Sequence, residues 1–249
     1  MRSSPRSANS HCTPDEAGAM IRALASDAAA IASAEHERMR PPEFSLGVKT
    51  QDEQGDTAAL PYYKRAIEID PSFILGYWHV GAMYLNLGES ERGIEYLTKA
   101  FQLREHGSER EKMGISALYY LYATGELDKA AQTLEQEIEI YKDSPPYMNL
   151  GIVYMSLGNY EKAEETIRKD KRQVSVVVIN LTICVVAQQH FDEARQLIRE
   201  AMEKGADVYE FHFHLYVLAF LASDSAAMAE QQRWFAGKPD YENIGLDLA

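Results

Sequence analysis

The sequence predicts an all-α fold: a solenoid of about five to six helix–turn–helix repeats with an extra N-terminal helix. Three observations carry this expectation. Similar blocks recur at a near-constant spacing, small and large residues recur at matching places within them, and glycine or proline falls where helices must turn or stop. The blocks open at Gly55 (GDTAALPYYKRAIEIDP), Gly88 (GESERGIEYLTKAFQL), Gly125 (GELDKAAQTLEQEIEIY), Gly158 (GNYEKAEETIRKD) and Gln189 (QHFDEARQLIREAMEKG). A degenerate sixth opens at Ser223, and the starts lie 33, 37, 33, 31 and 34 residues apart. A period near 34 marks stacked helix pairs, each unable to bury its apolar face alone.

The elements follow in order. Residues 1–12 are expected to be a disordered tail. Residues 13–43 are expected to hold an amphipathic capping helix. Thr13-Pro14-Asp15-Glu16 is a helix start, and Ala17, Met20, Ile21, Leu24, Ala28 and Ile31 follow helical spacing up to the stop at Pro41-Pro42. Residues 44–236 form the solenoid, and 237–249 are a tail too short for another repeat. In first helices, Trp78-x-Val80-Gly81-x-x-Tyr84 parallels Tyr147-x-x-Leu150-Gly151-x-x-Tyr154. Gly88 and Gly158 fall at the turn. In second helices, Ala59, Ala130, Ala163 and Ala194 give close approach. Tyr63, Leu97, Leu134 and Ile167 follow as large residues, then Ala66, Ala100 and Ala201. Pro71 stops the first of these helices.

These residues and this period resemble the tetratricopeptide-repeat family over about residues 44–236. The resemblance implies a right-handed solenoid. More narrowly, Leu46 to Asp247 resembles the repeat region found behind the kinase or DNA-binding domain of bacterial signalling proteins, notably Ser/Thr kinases. Several positions depart from the pattern. Thr50 stands where Tyr84 and Tyr154 stand elsewhere, so the first helix is expected to be weak. Gly93 replaces a packing alanine, and Lys142 stands where a proline would end the third repeat. The shortest spacing, 31, is expected to disturb stacking between the fourth and fifth repeats, where the β-branched run Val176–Ile179 has low helix preference. Ser108-x-x-Glu111 reads as a capping box opening the third repeat.

Composition narrows the function classes. The 249 residues carry 25 Lys+Arg against 38 Asp+Glu, a formal charge of −13, which disfavours nucleic acid and anionic lipid. Residues 44–249 hold 20 of the basic and 32 of the acidic residues, so the acidity belongs to the solenoid. Two cysteines, Cys12 and Cys184, cannot build a disulfide scaffold or a four-thiolate zinc site. Arg22 and Asp27 interrupt the only stretch resembling a signal peptide. The uncharged run Val174–Ala187 is too short to span a bilayer and reads as a buried helix. The expected location is the cytoplasm, or the periplasm if a parent architecture places the repeats beyond a membrane helix.

No catalytic motif occurs: no phosphate loop, no HExxH, no GxSxG and no kinase signature. His212 and His214 point to different sides of a helix and cannot readily share a metal. Cys184 reads as an inert buried thiol and Cys12 as exposed, and the Asn180-Leu181-Thr182 sequon falls inside a core helix. The clusters Glu89/Glu91 and Glu161/Glu164/Glu165 read as solvated faces. The chain is therefore expected to be no enzyme and to need no cofactor or metal.

Repeat register places Trp78, Ala82, Leu85 and Asn86, then Ile115, Tyr119 and Tyr122, on a concave face lined by first helices. Met148, Ile152 and Met155, then Ile179, Ile183 and Val186, continue it. The lining is apolar and aromatic, with Lys112 its only basic residue, so a carboxylate clamp is excluded. It suits an amphipathic helix or an extended peptide with aliphatic or aromatic anchors. The leading expectation is a protein-interaction scaffold with a protein or peptide ligand. The alternative is a detached sensor or regulatory segment of a bacterial Ser/Thr kinase or transcription regulator. The chain's own N-terminal helix or tail, or a second copy, are other occupants of the face.

Overall fold

The computed structural model describes residues 40–172, 175–236 and 238. The expected capping helix and both terminal tails therefore lie almost wholly outside the described residues. Twelve α-helices follow one another, and there is no strand among the described residues. They are α1 Pro42–Gln54, α2 Asp56–Ile69, α3 Ile74–Asn86, α4 Ser90–Gln102, α5 Glu109–Leu118 and α6 Leu127–Ile140. The remainder are α7 Tyr147–Ser156, α8 Tyr160–Ile167, α9 Ser175–Ala187, α10 Phe191–Glu203, α11 Tyr209–Leu221 and α12 Ser225–Phe235. A six-residue π turn, Tyr119–Thr124, follows α5. The chain divides into two compact units, Met1–Ile115 and Ser116–Ala249.

In the first unit α1 pairs with α2, and α3 with α4, while α2 also packs on α3. Pro42 supplies the pre-set φ of the first helical turn of α1. This helix, expected to be weak, runs for 13 residues and is anchored by Phe44, whose ring meets Tyr63 and Phe73 at 5.4 and 5.0 Å. Gly81 and Gly93 bring α3 and α4 into backbone contact. A Cβ on Gly81 would come within 2.9 Å of Leu97 Cγ, and one on Gly93 within 2.7 Å of Leu85 Cγ. Gly93 thus does the packing work expected of alanine, with an even closer approach. The Ser108 box is formed: Ser108 Oγ accepts from Glu111 N at 3.3 Å, and Ser108 N donates to the Glu111 carboxylate at 2.8 Å.

In the second unit the pairs are α7 with α8, α9 with α10 and α11 with α12, and α6 packs on α7. The tight spacing before α9 is absorbed by shortening. α8 has only 8 residues where α2, α4, α6 and α10 have 13 or 14, and α9 still packs on both α8 and α10. The expected disturbance of stacking is corrected accordingly: the lost turn is taken from a helix end and not from the interface. The β-branched run is helical, because burial of Val177, Leu181 and Val185 outweighs a preference of a few tenths of a kcal/mol per residue. Thr182 Oγ1, fully buried, donates to Val178 O at 2.8 Å. Among the described residues no helix is long and apolar enough to cross a membrane.

Candidate functional site

The first helices of the second unit are unusual in composition. Across α7, α9 and α11, Glu210 is the only Asp, Glu, Lys or Arg. A helix that is apolar all round needs cover on more than one side. One side is provided by the paired second helices, through Val153, Val185, Phe211 and Leu218, all nearly or fully buried. The other sides are only partly covered. Ile183 is 38% exposed, Phe213 37%, Phe220 63% and Leu221 52%. The acidic and basic residues lie instead on the second helices, where Arg168 bridges Glu164 and Glu193 between α8 and α10.

The structure sorts the residues that the register selects. In the first unit Trp78, Leu85 and Asn86 share a face of α3. Trp78 is half-buried, and Leu85 packs over Gly93. Asn86 is exposed but engaged: its Nδ2 donates to Asp56 Oδ2 at 2.7 Å. The other Asp56 oxygen accepts from Gln51 Nε2 at 3.0 Å, and Gln51 Oε1 accepts from Tyr63 Oη at 2.8 Å. Asn86 therefore ties α3 to α2.

Ile115 is corrected from the open face to the core. It is fully buried in the cluster that holds Ile74, Met83 and Ala100. Counting back from Gly125 assumes an unbroken α-helix, and the π turn Tyr119–Thr124 spends extra residue length on one turn. Each residue of offset rotates a side chain by about 100°. In the second unit Tyr119 is half-buried against Tyr120, and Tyr122 is exposed. Met148 is buried and is likewise core, while Ile152 and Met155 on α7 stay half-buried. On α9, Ile179 is half-buried and Ile183 is exposed.

Three exposed residues of α11, Phe213, Phe220 and Leu221, were not among those selected. The signal was present, since adding one 34-residue period to Ile179 and Val186 lands on Phe213 and Phe220. The degenerate sixth block obscured it. His212 and His214 do not meet a common ligand. His212 is buried, with Nδ1 2.8 Å from Gln231 Oε1 and Nε2 2.7 Å from Asp207 Oδ1, and its ring stacks on Trp234 at 3.8 Å. Burial alone lowers the His214 pKa. Among the described residues no group of three or more His, Cys, Asp and Glu side chains is placed to hold a metal.

Helix pairs that share small-residue contacts and leave apolar first helices part-covered define a stacked-repeat protein. The fold is an α-solenoid of tetratricopeptide repeats, and residues 76–106 and 144–169 match the tetratricopeptide-repeat family model. Among solved structures, the chain is similar to PilW, described as a widely conserved type IV pilus biogenesis factor, with TM-score 0.54 and 14% identity over 80% of this chain and 93% of that one. It is also similar to a tetratricopeptide-repeat protein from Parabacteroides merdae, with TM-score 0.57 and 14% identity over 83% and 82%. A thermophilic repeat protein of Thermus thermophilus matches with TM-score 0.55 and 17% identity over 72% and 97%. No curated protein matches the chain.

Proposed function

We propose that this protein is an interaction scaffold that binds a protein or peptide on the apolar face of its first helices. The observation that carries the reading is the exposed, uncharged set Ile183, Phe213, Phe220 and Leu221 in the second unit. Aliphatic and aromatic anchors of a partner helix or strand would gain roughly 25 cal/mol for each Å² of apolar surface they cover there. The absence of charge on α7 and α9 favours a ligand whose docking side is itself uncharged. This modifies the expected site: the second unit's last two first helices are the centre, and the buried Ile115 and Met148 are not part of it.

The test is capture at position 220. A photo-crosslinking residue replacing Phe220, which is largely exposed, should trap a partner polypeptide in the native host. Adding Ile183→Asp, which places a charge among the anchors, should abolish the adduct while leaving the helical circular-dichroism signal unchanged. An adduct that survives Ile183→Asp, or none at all, rejects the face.

A further inference from the structure

A second surface, on the first unit, has a different chemistry. Between the second helices α2 and α4 lies an open slot of about 680 Å³. Its lining includes Ile67, Tyr77, Tyr96, Glu68, Glu95 and Lys99. The Tyr77 and Tyr96 rings are 6.3 Å apart at 34°. A cation seated about 4 Å above the midpoint between them would be about 5 Å from each centroid, inside the range where ring quadrupoles attract it.

The neighbouring tyrosine shows how this aromatic row is used within the chain. Tyr84 lies 5.6 Å from Tyr96 and carries both Lys64, at 5.0 Å, and Arg92, at 4.6 Å, over its ring. Among the described residues no cation of the chain lies over Tyr77 or Tyr96. Glu95 and Lys99 stand four residues apart on α4 yet form no ion pair, so the Glu95 carboxylate is available. Burial, then Tyr96 and the Asp70 carboxylate, raise the Tyr77 pKa, the direction expected where added negative charge is unfavourable.

We propose that this slot binds an arginine or lysine side chain of an extended partner peptide, stacked on Tyr77 and Tyr96 and paired with Glu95, with a flanking aliphatic residue against Ile67. Lys99 opposes this cation at the rim, which makes the proposal discriminating: removing Lys99 should help a cationic ligand and hurt an anionic one.

The experiment titrates the isotope-labelled full chain with acetyl-Leu-Arg-Leu-amide and follows backbone amide shifts. Saturable shifts are expected at 67–71, 77 and 95–99. The citrulline counterpart, equal in shape and uncharged, should bind about tenfold more weakly. Tyr96→Leu keeps apolar bulk but loses the quadrupole and should weaken the arginine peptide roughly fivefold. Glu95→Gln, at an exposed site, should weaken it roughly threefold, and Lys99→Ala should tighten it. Equal binding of the citrulline peptide, weaker binding by Lys99→Ala, or no saturable shift up to about 10 mM overturns the proposal. Shifts confined to 176–186 and 213–221 would also overturn it, while leaving the first-helix face standing.

Discussion

His79 is held in a closed aromatic setting by residues from three helices. Phe44 of α1 meets its ring edge-on at 5.0 Å, Tyr63 of α2 lies at 4.7 Å, and its chain neighbour Trp78 at 6.0 Å. Burial, with a smaller push from Arg40, lowers its pKa from 6.5 to about 4. A histidine with a depressed pKa stabilises the fold in its neutral form. That stability is complete above pH 6.5 and is lost as pH falls toward 4, because the unfolded chain takes up the proton first. The loss across this window is at most about 3 kcal/mol. Denaturant midpoints measured from pH 7 to 4 should fall more steeply for the wild type than for His79→Phe, which has no proton to gain; parallel curves would refute the assignment. Cys184 makes a second residue-scale prediction. Burial raises its thiol to about 11, so a disulfide reagent at pH 8 should label it only after denaturation. Its burial was legible from the apolar run around it. The setting of His79 was not, because no local pattern says that Phe44 and Tyr63 close over position 79.

At the scale of elements, the turns between paired helices all pass through the left-handed region. Gly88, Gly125 and Gly158 do so with φ of 77°, 68° and 74°. Gln189 and Ser223 occupy the equivalent turns of the last two repeats at 64° and 55°. A side chain there costs about 1–2 kcal/mol, offset in part by the greater unfolded freedom of glycine. Gln189→Gly and Ser223→Gly should each stabilise the protein by about 0.5–1 kcal/mol, seen as a higher midpoint with an unchanged denaturant slope. The hydrogen bonds need not change, since His190 N already donates to Val185 O at 2.8 Å and Asp224 N to Ala219 O at 2.9 Å. The sequence-derived blocks opened at these very residues, so helix order and the turns were legible. The position of Ile115 was not, because a π turn leaves no composition signal in YYLYAT and shifts everything counted through it. The short α8 was foreshadowed by the 31-residue spacing, but spacing alone does not say whether a helix or an interface gives way.

For the whole molecule, the question is how far a local loss travels. In the second unit each helix pair touches mainly the pairs beside it. Ile198 of α10 is fully buried against the cluster of Val185, Ala194, Phe211 and Leu218, which draws on α9, α10 and α11. Ile198→Ala should cost about 2–5 kcal/mol through lost burial and the cavity left behind. In a globular core that cost would appear everywhere at once. In a one-dimensional stack it enters as one weakened pair and its interfaces. Hydrogen exchange should therefore quicken most in 175–187, 191–203 and 209–221, and least in 127–140 at the other end of the same unit. A uniform rise across all the helices of the second unit would mean that they unfold as one block. The apolar first-helix face would then open only with the whole unit. A graded rise would instead let α11, with Phe213 and Phe220, loosen and reseat around a ligand while α6 and α7 stay folded.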